Sequence, residues 1–238
     1  MTLTNQIIVI TGGAKGLGKE LARVLVTKGA RVVICDRDEV ELKQTADELG
    51  LTGLVMDVTD ELAVAETVKQ IIANFGRIDI WINNAGVWLP PAQIEEVDLV
   101  KAKKLFDINV FGTINGVRAV VGPMKAQASG TIVNIISTTA LDGMSGSSGS
   151  MYVASKYALR GLTNVLREEL KVSQIKVIGV YPGGIKTDIF SEAKPANLDQ
   201  FMSAEDVASK IVANLESPEP EVQLVIKRPG QELSSEFK

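Results

Sequence analysis

The chain has 238 residues, 45% of them apolar, enough for one large core, and a net charge of −4, the wrong sign for a nucleic-acid surface. It contains no histidine and a single cysteine, Cys35. Imidazole acid/base chemistry, histidine-based nucleophile systems, histidine-bearing zinc motifs and internal disulfides are thereby excluded, and no metal site is expected. Proton transfer near neutral pH must fall to a carboxylate, a lysine, a tyrosine or a cofactor. No apolar run reaches 18 residues, and Met1–Gln6 lacks the pattern of a secretory signal, so a soluble cytoplasmic protein without a membrane span is expected.

The first predicted strand, Gln6–Thr11, runs into Thr11-Gly12-Gly13-Ala14-Lys15-Gly16-Leu17-Gly18, and a helix over Gly16–Lys28 follows. Leu17, Leu21, Val24 and Leu25 recur on one face of that helix, as packing against a sheet requires. The glycines of interest, at 12, 16 and 18, permit a tight turn. They let backbone N–H groups approach a pyrophosphate beside the positive end of the helix. A purely structural strand-to-helix turn is the alternative. The second strand, Arg31–Asp36, ends eighteen positions past Gly18 on an aspartate. Asp36 can accept hydrogen bonds from ribose hydroxyls and would repel a 2′-phosphate, which favours NAD. It could equally cap the next helix, and Lys15 and Arg37 could offset the repulsion and keep NADP open. Cys35 reads as a small buried strand residue.

Further along come a helix over Glu39–Leu49, a strand over Thr52–Val58, a helix over Glu61–Phe75 and a strand over Ile78–Asn83. A long helix over Leu99–Met124 precedes a strand over Gly130–Ser137, then a Ser/Gly-rich loop at Ser145–Ser150. The series closes with a helix over Tyr152–Lys171, a strand over Ile175–Tyr181, a helix over Ala204–Leu215 and a strand over Val222–Ile226. Continuous apolar runs such as Ile7–Ile10 and Ile132–Ile136 suit a parallel sheet covered on both faces. The alternation predicts a doubly wound, Rossmann-type α/β fold of about seven strands in one domain spanning 1–238.

Tyr152 and Lys156 lie one turn apart on one helix face. A free tyrosine has a pKa of about 10, and lowering it by about three units takes roughly 4 kcal/mol at about 1.36 kcal/mol per unit. A neighbouring ammonium has the right sign to supply part of that, and a cationic nicotinamide would add to it. By itself the Tyr-x-x-x-Lys spacing is common.

As an ordered set these motifs resemble the short-chain dehydrogenase/reductase family in its compact branch. The resemblance spans nearly the whole chain: Thr11-Gly12-x-x-x-Gly16-x-Gly18, Asp57-Val58, Asn83-Asn84-Ala85-Gly86, Asn109, Ser137, Tyr152 with Lys156, and Pro182-Gly183 with Thr187. It implies that Tyr152 exchanges a proton with the substrate oxygen and that Lys156 lowers its pKa and bonds the nicotinamide ribose. Ser137 would polarise the carbonyl, and Asn109 would hold a water that relays protons to solvent. It further implies a cofactor seat. Gly12, Lys15, Gly16, Leu17 and Gly18 would take the phosphates, Asp36 and Arg37 the adenosine ribose, and Asp57 with the Val58 backbone the adenine. Asn84, Ala85 and Gly86 would flank the adenosine ribose, and Pro182, Gly183, Ile185 and Thr187 would hold the carboxamide. The family usually carries a serine pair after the strand-five asparagine. Here the run is Asn134-Ile135-Ile136-Ser137-Thr138-Thr139, so Ser137 matches the catalytic position and Thr138 or Thr139 are its rivals.

The segment after Gly86, the loop Thr138–Met151 and the stretch Asp188–Met202 should wall the substrate. Trp88, Leu89, Leu141, Met144, Met151, Ile189, Phe190 and Phe201 are the candidates. Their character points to a neutral, partly apolar alcohol or ketone, although Lys186 and Lys194 lie nearby. The resemblance implies a homodimer or homotetramer formed through the helices over Leu99–Met124 and Tyr152–Lys171. A frayed tail is expected over Gln231–Lys238. Two rivals are an NAD-retaining sugar-nucleotide epimerase or dehydratase and a non-catalytic NAD(P) sensor. The first would place its middle glycine where Lys15 stands and carry a longer C-terminal region. A sensor could have lost Ser137, Tyr152 or Lys156, and all are present. The expected activity is reversible oxidation of a secondary alcohol.

Overall fold

The apolar runs become strands because both of their faces are covered. In the computed structural model, which describes residues 2–141, 149–190, 193–195, 197–228 and 230, every position of β1 (Ile7–Thr11) is buried. Alternate residues enter two different cores: Ile8 and Ile10 on one side of the sheet, Ile7 and Val9 on the other. The strands β2 (Arg31–Asp36), β3 (Thr52–Val55), β4 (Ile80–Asn83), β5 (Gly130–Ile135), β6 (Ile175–Pro182) and β7 (Gln223–Ile226) complete an all-parallel sheet in the order β3-β2-β1-β4-β5-β6-β7. The order reverses between β1 and β4, where a doubly wound sheet opens a crevice at its carboxyl edge. Met144, residues 145–148 of the Ser/Gly-rich loop and the tail over 231–238 lie outside the described residues.

One face carries α1 (Gly16–Thr27), α2 (Glu39–Leu49) and α7 (Ala204–Glu216). The other carries α3 (Glu61–Phe75), α5 (Gly112–Ala126) and α6 (Ser150–Glu169). Side chains of Asp38, Asp60 and Ser203 accept hydrogen bonds from the first-turn N–H groups of α2, α3 and α7, and Asp98 does so for α4 (Leu99–Phe106). α1 has no such cap and no acidic residue in its first turn. Its N–H groups are left facing the sheet edge.

Two elements depart from the sequence pattern. The predicted helix over Leu99–Met124 is helical throughout, but its winding widens at Asp107–Phe111 into a π turn between α4 and α5. Gly112 must be small there, since a Cβ would lie 2.6 Å from Val58 Cγ2. The strand predicted over Thr52–Val58 stops at Val55, because Asp57 accepts hydrogen bonds from both the N–H and the hydroxyl of Thr59 and turns the chain.

Candidate active site

The glycine turn is built by contact as well as by conformation. Gly12 and Gly16 have φ of +63° and +57°, and a Cβ on Gly18 would lie 2.1 Å from the Gly12 carbonyl oxygen. Only glycine fits. The turn is clasped from β4 by Asn84, whose Nδ2 donates to the carbonyls of Thr11 and Gly12 at 2.9 Å each. Thr11 Oγ1 accepts in return from the N–H groups of Asn84 and Ala85 at 3.1 Å. The Asn84 amide is thus committed to holding the turn. Thr187 closes on the turn from the other side of the crevice, since a Cβ on Gly16 would lie 3.3 Å from its Cγ2.

At the end of β2, Asp36 Oδ2 accepts from Ala14 N–H at 3.2 Å and Oδ1 from Asp38 N–H at 3.1 Å. Lys15 faces Asp38 at 3.9 Å, and Arg37 is exposed. Asp57 and Val58 follow the end of β3, in the turn beyond it. The Val58 carbonyl accepts from Asn115 Nδ2 at 2.9 Å. Beyond β6, Gly183 N–H donates to Ile226, and Ile185 bridges to Met202. Bonds from Lys186 N–H to the Met202 carbonyl and from Met202 N–H to the Gly184 carbonyl pin both ends of the intervening stretch.

The π turn carries Asn109 inward. Its Oδ1 accepts from Val87 N–H at 2.8 Å, and its Nδ2 donates to the Val87 carbonyl at 3.0 Å and to Ser155 Oγ at 3.2 Å. Ser155 Oγ passes its own proton to the Tyr152 carbonyl at 2.7 Å. Thr113 Oγ1 donates to the Asn109 carbonyl at 3.0 Å, satisfying a group that the π turn loosens. Asn109 therefore clamps the segment after β4 to α6. Gly86 sits within this clamp: a Cβ there would lie 3.3 Å from Asn109 Oδ1 and 3.8 Å from Lys156 Nζ.

Ser137, Tyr152 and Lys156 come together where β5 ends. Ser137 Oγ accepts from both the N–H and the hydroxyl of Thr139, at 3.2 and 3.0 Å. With both lone pairs taken, its remaining proton is the one it can offer a partner, and Ser137 stands near enough to Tyr152 to hold the phenol down against burial. Ser137 is the hydroxyl beside the tyrosine, with Thr139 bonded behind it. Lys156 Nζ donates to the Ile135 carbonyl at 3.2 Å and lies 5.6 Å from the centre of the Tyr152 ring. Burial pushes the Tyr152 phenol up to about 12, opposed by the bond with Ser137, and pushes the Lys156 ammonium down to about 8. In the cofactor-free chain desolvation outweighs the contribution of Ser137, so the phenol stands above its ordinary value. Cys35 is fully buried, its thiol raised to about 12, which makes it inert.

Beside Tyr152 opens a cavity of about 150 Å³ walled by Leu89, Pro90, Ala92, Val97, Gly149 and Met151, with Glu96, Asp98 and Lys101 also lining it. Trp88, Phe190 and Phe201 form an edge-to-face ladder with centroids 5.1 and 5.6 Å apart. Leu141 departs from expectation: it packs in the core with Ile136, Leu159 and Tyr181. Sequence reasoning missed Ser155 and the charged lining by Glu96, Asp98 and Lys101, and it named Thr139 as a rival of Ser137 rather than as its hydrogen-bond partner. Among the described residues no cluster of three metal-ligating side chains exists, and no helix is long and apolar enough to cross a membrane.

The arrangement fits a dinucleotide. The uncapped α1 and the side-chain-free turn suit a pyrophosphate. A buried ammonium bonded to one carbonyl keeps further donors for ribose hydroxyls.

A family model described as short chain dehydrogenase matches residues 6–198. The 3-alpha-(or 20-beta)-hydroxysteroid dehydrogenase of Mycobacterium bovis is 36% identical over 187 residues, 78% of this chain and 71% of that protein. The L-fucose dehydrogenase of Bos taurus is 34% identical over 195 residues, covering 82% and 71%. Among solved structures, a 3-ketoacyl-(acyl-carrier-protein) reductase from Brucella melitensis complexed with NADH superposes with a TM-score of 0.86 at 25% identity, covering 94% of this chain and 97% of that one.

Proposed function

The chain belongs to the short-chain dehydrogenase family and is an oxidoreductase of CH–OH and C=O groups that works with a nicotinamide cofactor; from that premise we propose that it interconverts a neutral, partly apolar secondary alcohol and its ketone, with Tyr152 giving and taking the proton. The observation that carries this reading is Tyr152 beside Ser137 and one helical turn from a buried Lys156, lining a cavity whose wall is mostly apolar. When bound, the cofactor supplies or accepts the hydride at its nicotinamide.

In the reducing direction Tyr152 gives its proton to the carbonyl oxygen, while Ser137, its lone pairs engaged by Thr139, donates its own hydrogen to the same oxygen and polarises it. Tyr152 is left as a phenolate. From a pKa of about 12, forming that phenolate at pH 7 costs about 7 kcal/mol at about 1.36 kcal/mol per unit. The Lys156 ammonium and the positive charge of an oxidised nicotinamide are the two sources that offset it. Asn109 keeps α6 against the segment after β4, with one Oδ1 lone pair left to receive a relay water beside Lys156.

For the cofactor, Gly12, Lys15, Gly16, Leu17 and Gly18 take the phosphates and Asp36 the adenosine ribose, with Arg37 at its side. Asp57 and the Val58 backbone lie by the adenine, and Asn84, Ala85 and Gly86 line the ribose. Pro182, Gly183, Ile185 and Thr187 hold the carboxamide. NAD is the preferred form, because Asp36 is held beside the turn by two N–H groups and Lys15 is balanced by Asp38. The aromatic ladder and the apolar lining favour a hydroxysteroid-like ring over a sugar. Leu99, Val100, Phe111 and Val165 stand exposed on the long helices and support assembly as a homodimer or homotetramer through them. Residues 1–238 act as one domain, in the reducing cytoplasm that a chain with one inert thiol suits.

A panel of carbonyls and alcohols, scored by absorbance of the reduced cofactor with both nicotinamides, tests the reading. Apolar cyclic ketones should turn over, and NADH should bind at least tenfold more tightly than NADPH. Absence of turnover across the panel, or tighter binding of NADPH, would overturn it.

A further inference from the structure

A line of buried side-chain hydrogen bonds crosses from the sheet into α6 behind the site. Trp81 Nε1 donates to Asn83 Oδ1 at 2.7 Å, Asn83 Nδ2 to Asn134 Oδ1 at 2.9 Å, and Asn134 Nδ2 to Thr163 Oγ1 at 2.9 Å. Thr163 Oγ1 ends the line by donating to the Leu159 carbonyl at 2.7 Å. All four side chains are buried. Asn83 and Asn134 are paired neighbours in the sheet, and the line is closed off behind by α5, where a Cβ on Gly116 would lie 2.5 Å from Asn83 Oδ1.

The two ends of this line are not equivalent. Thr163 lies seven residues past Lys156 and eleven past Tyr152, so at about 100° per residue both fall within about 20° of its line down the helix. Asn134 lies one residue before Ile135 and three before Ser137. The same stripe of α6 therefore meets the end of β5 at three points: Tyr152 with Ser137, Lys156 with the Ile135 carbonyl, and Thr163 with Asn134. The first two are made by groups that must change partners when substrate and cofactor enter. The third is sealed in the core and does not change.

We propose that Asn134 and Thr163 are a positioning pair that sets the rotation of α6 on β5 and thereby holds Tyr152 and Lys156 at working distance from Ser137. The claim rests on the role given above to Tyr152. A Thr163→Val substitution keeps the shape, removes the hydroxyl and strands the Asn134 amide in the core. α6 then turns away from β5 to find that amide another partner, and the ammonium withdraws from the phenol. The glycine turn, on β1 and α1, is untouched.

The test compares Thr163→Val, Thr163→Ser and Thr67→Val with the parent in alcohol oxidation, using the best substrate of the panel, with Tyr152→Phe alongside. Thr67, buried on α3 away from the site, controls for loss of a core threonine. Thr163→Val should lower kcat at least tenfold with NAD affinity within threefold of the parent. The pH of half-maximal oxidation should move up, and Thr163→Ser should restore both. Should Thr163→Val not fold, Thr163→Cys, a weaker hydrogen-bonding partner of similar size, should show the same two changes in smaller measure. A kcat within threefold of the parent would overturn the proposal, as would a fall matched by Thr67→Val or a fall with an unmoved pH midpoint. An active Tyr152→Phe enzyme would instead overturn the role of Tyr152 itself.

Discussion

Lys156 is a buried ammonium with a carbonyl for a partner and, among the described residues, no carboxylate paired with it. Its pKa falls to about 8 from an ordinary value near 10.5. Below pH 8 the folded chain carries the charge in a poorly solvated place. Between pH 8 and about 10.5 the unfolded chain binds the extra proton, so this residue's contribution to stability improves as pH rises through that window. Lys156→Met should therefore unfold at higher denaturant than the parent at pH 6–7, by up to about 3 kcal/mol at about 1.36 kcal/mol per unit. The advantage should shrink above pH 8 and vanish near 10.5, in denaturation of the cofactor-free protein at a series of pH values. A pH-independent difference would contradict it. Tyr152 has the opposite sign, its raised pKa costing stability only from about pH 10 to 12, and it is common to both proteins. At this scale the sequence named Ser137, Tyr152 and Lys156, which the fold brings together, but not the groups that bond to them. Thr139 meets Ser137 only because a 3-10 turn over Thr138–Ala140 folds its N–H back onto the preceding side chain.

The elements follow from local rules where a single requirement dominates. Strands buried on both faces show as unbroken apolar runs, and the glycine turn shows because no other residue fits. An alanine at 18 would place its Cβ 2.1 Å from a backbone oxygen, inside any allowed contact, so α1 must move off the turn. Gly18→Ala should weaken NADH binding at least tenfold in a fluorescence titration and lower the melting temperature; an unchanged affinity would remove the turn from the cofactor seat. The π turn at Asp107–Phe111 was not legible in this way. The apolar spacing over Leu99–Met124 reads as one continuous helix. The widened turn depends on partners remote in sequence: Val58 against Gly112, and Val87 with Ser155 around Asn109. Asn109 could be picked out as a residue, but its clamp could not.

In the whole molecule the carboxyl edge of one parallel sheet gathers Gly12, Asp36, Asn84, Ser137 and Pro182 from strands far apart in the chain, while α6 brings Tyr152 and Lys156 to the same edge. The order of strands and helices was readable from pattern. The charged lining by Glu96, Asp98 and Lys101 was not, since it depends on how the turn at Ile94–Glu96 and the start of α4 lie beside the start of α6. With no histidine anywhere in 238 residues, the outlet proposed for the proton of the reaction is the phenol of Tyr152. The most direct test removes that oxygen and nothing else. Tyr152→Phe should bind NADH within threefold of the parent, melt within a few degrees of it, and show no redox turnover, a loss of at least a thousandfold in kcat. Turnover within tenfold of the parent, in a variant that still binds NADH, would contradict the account.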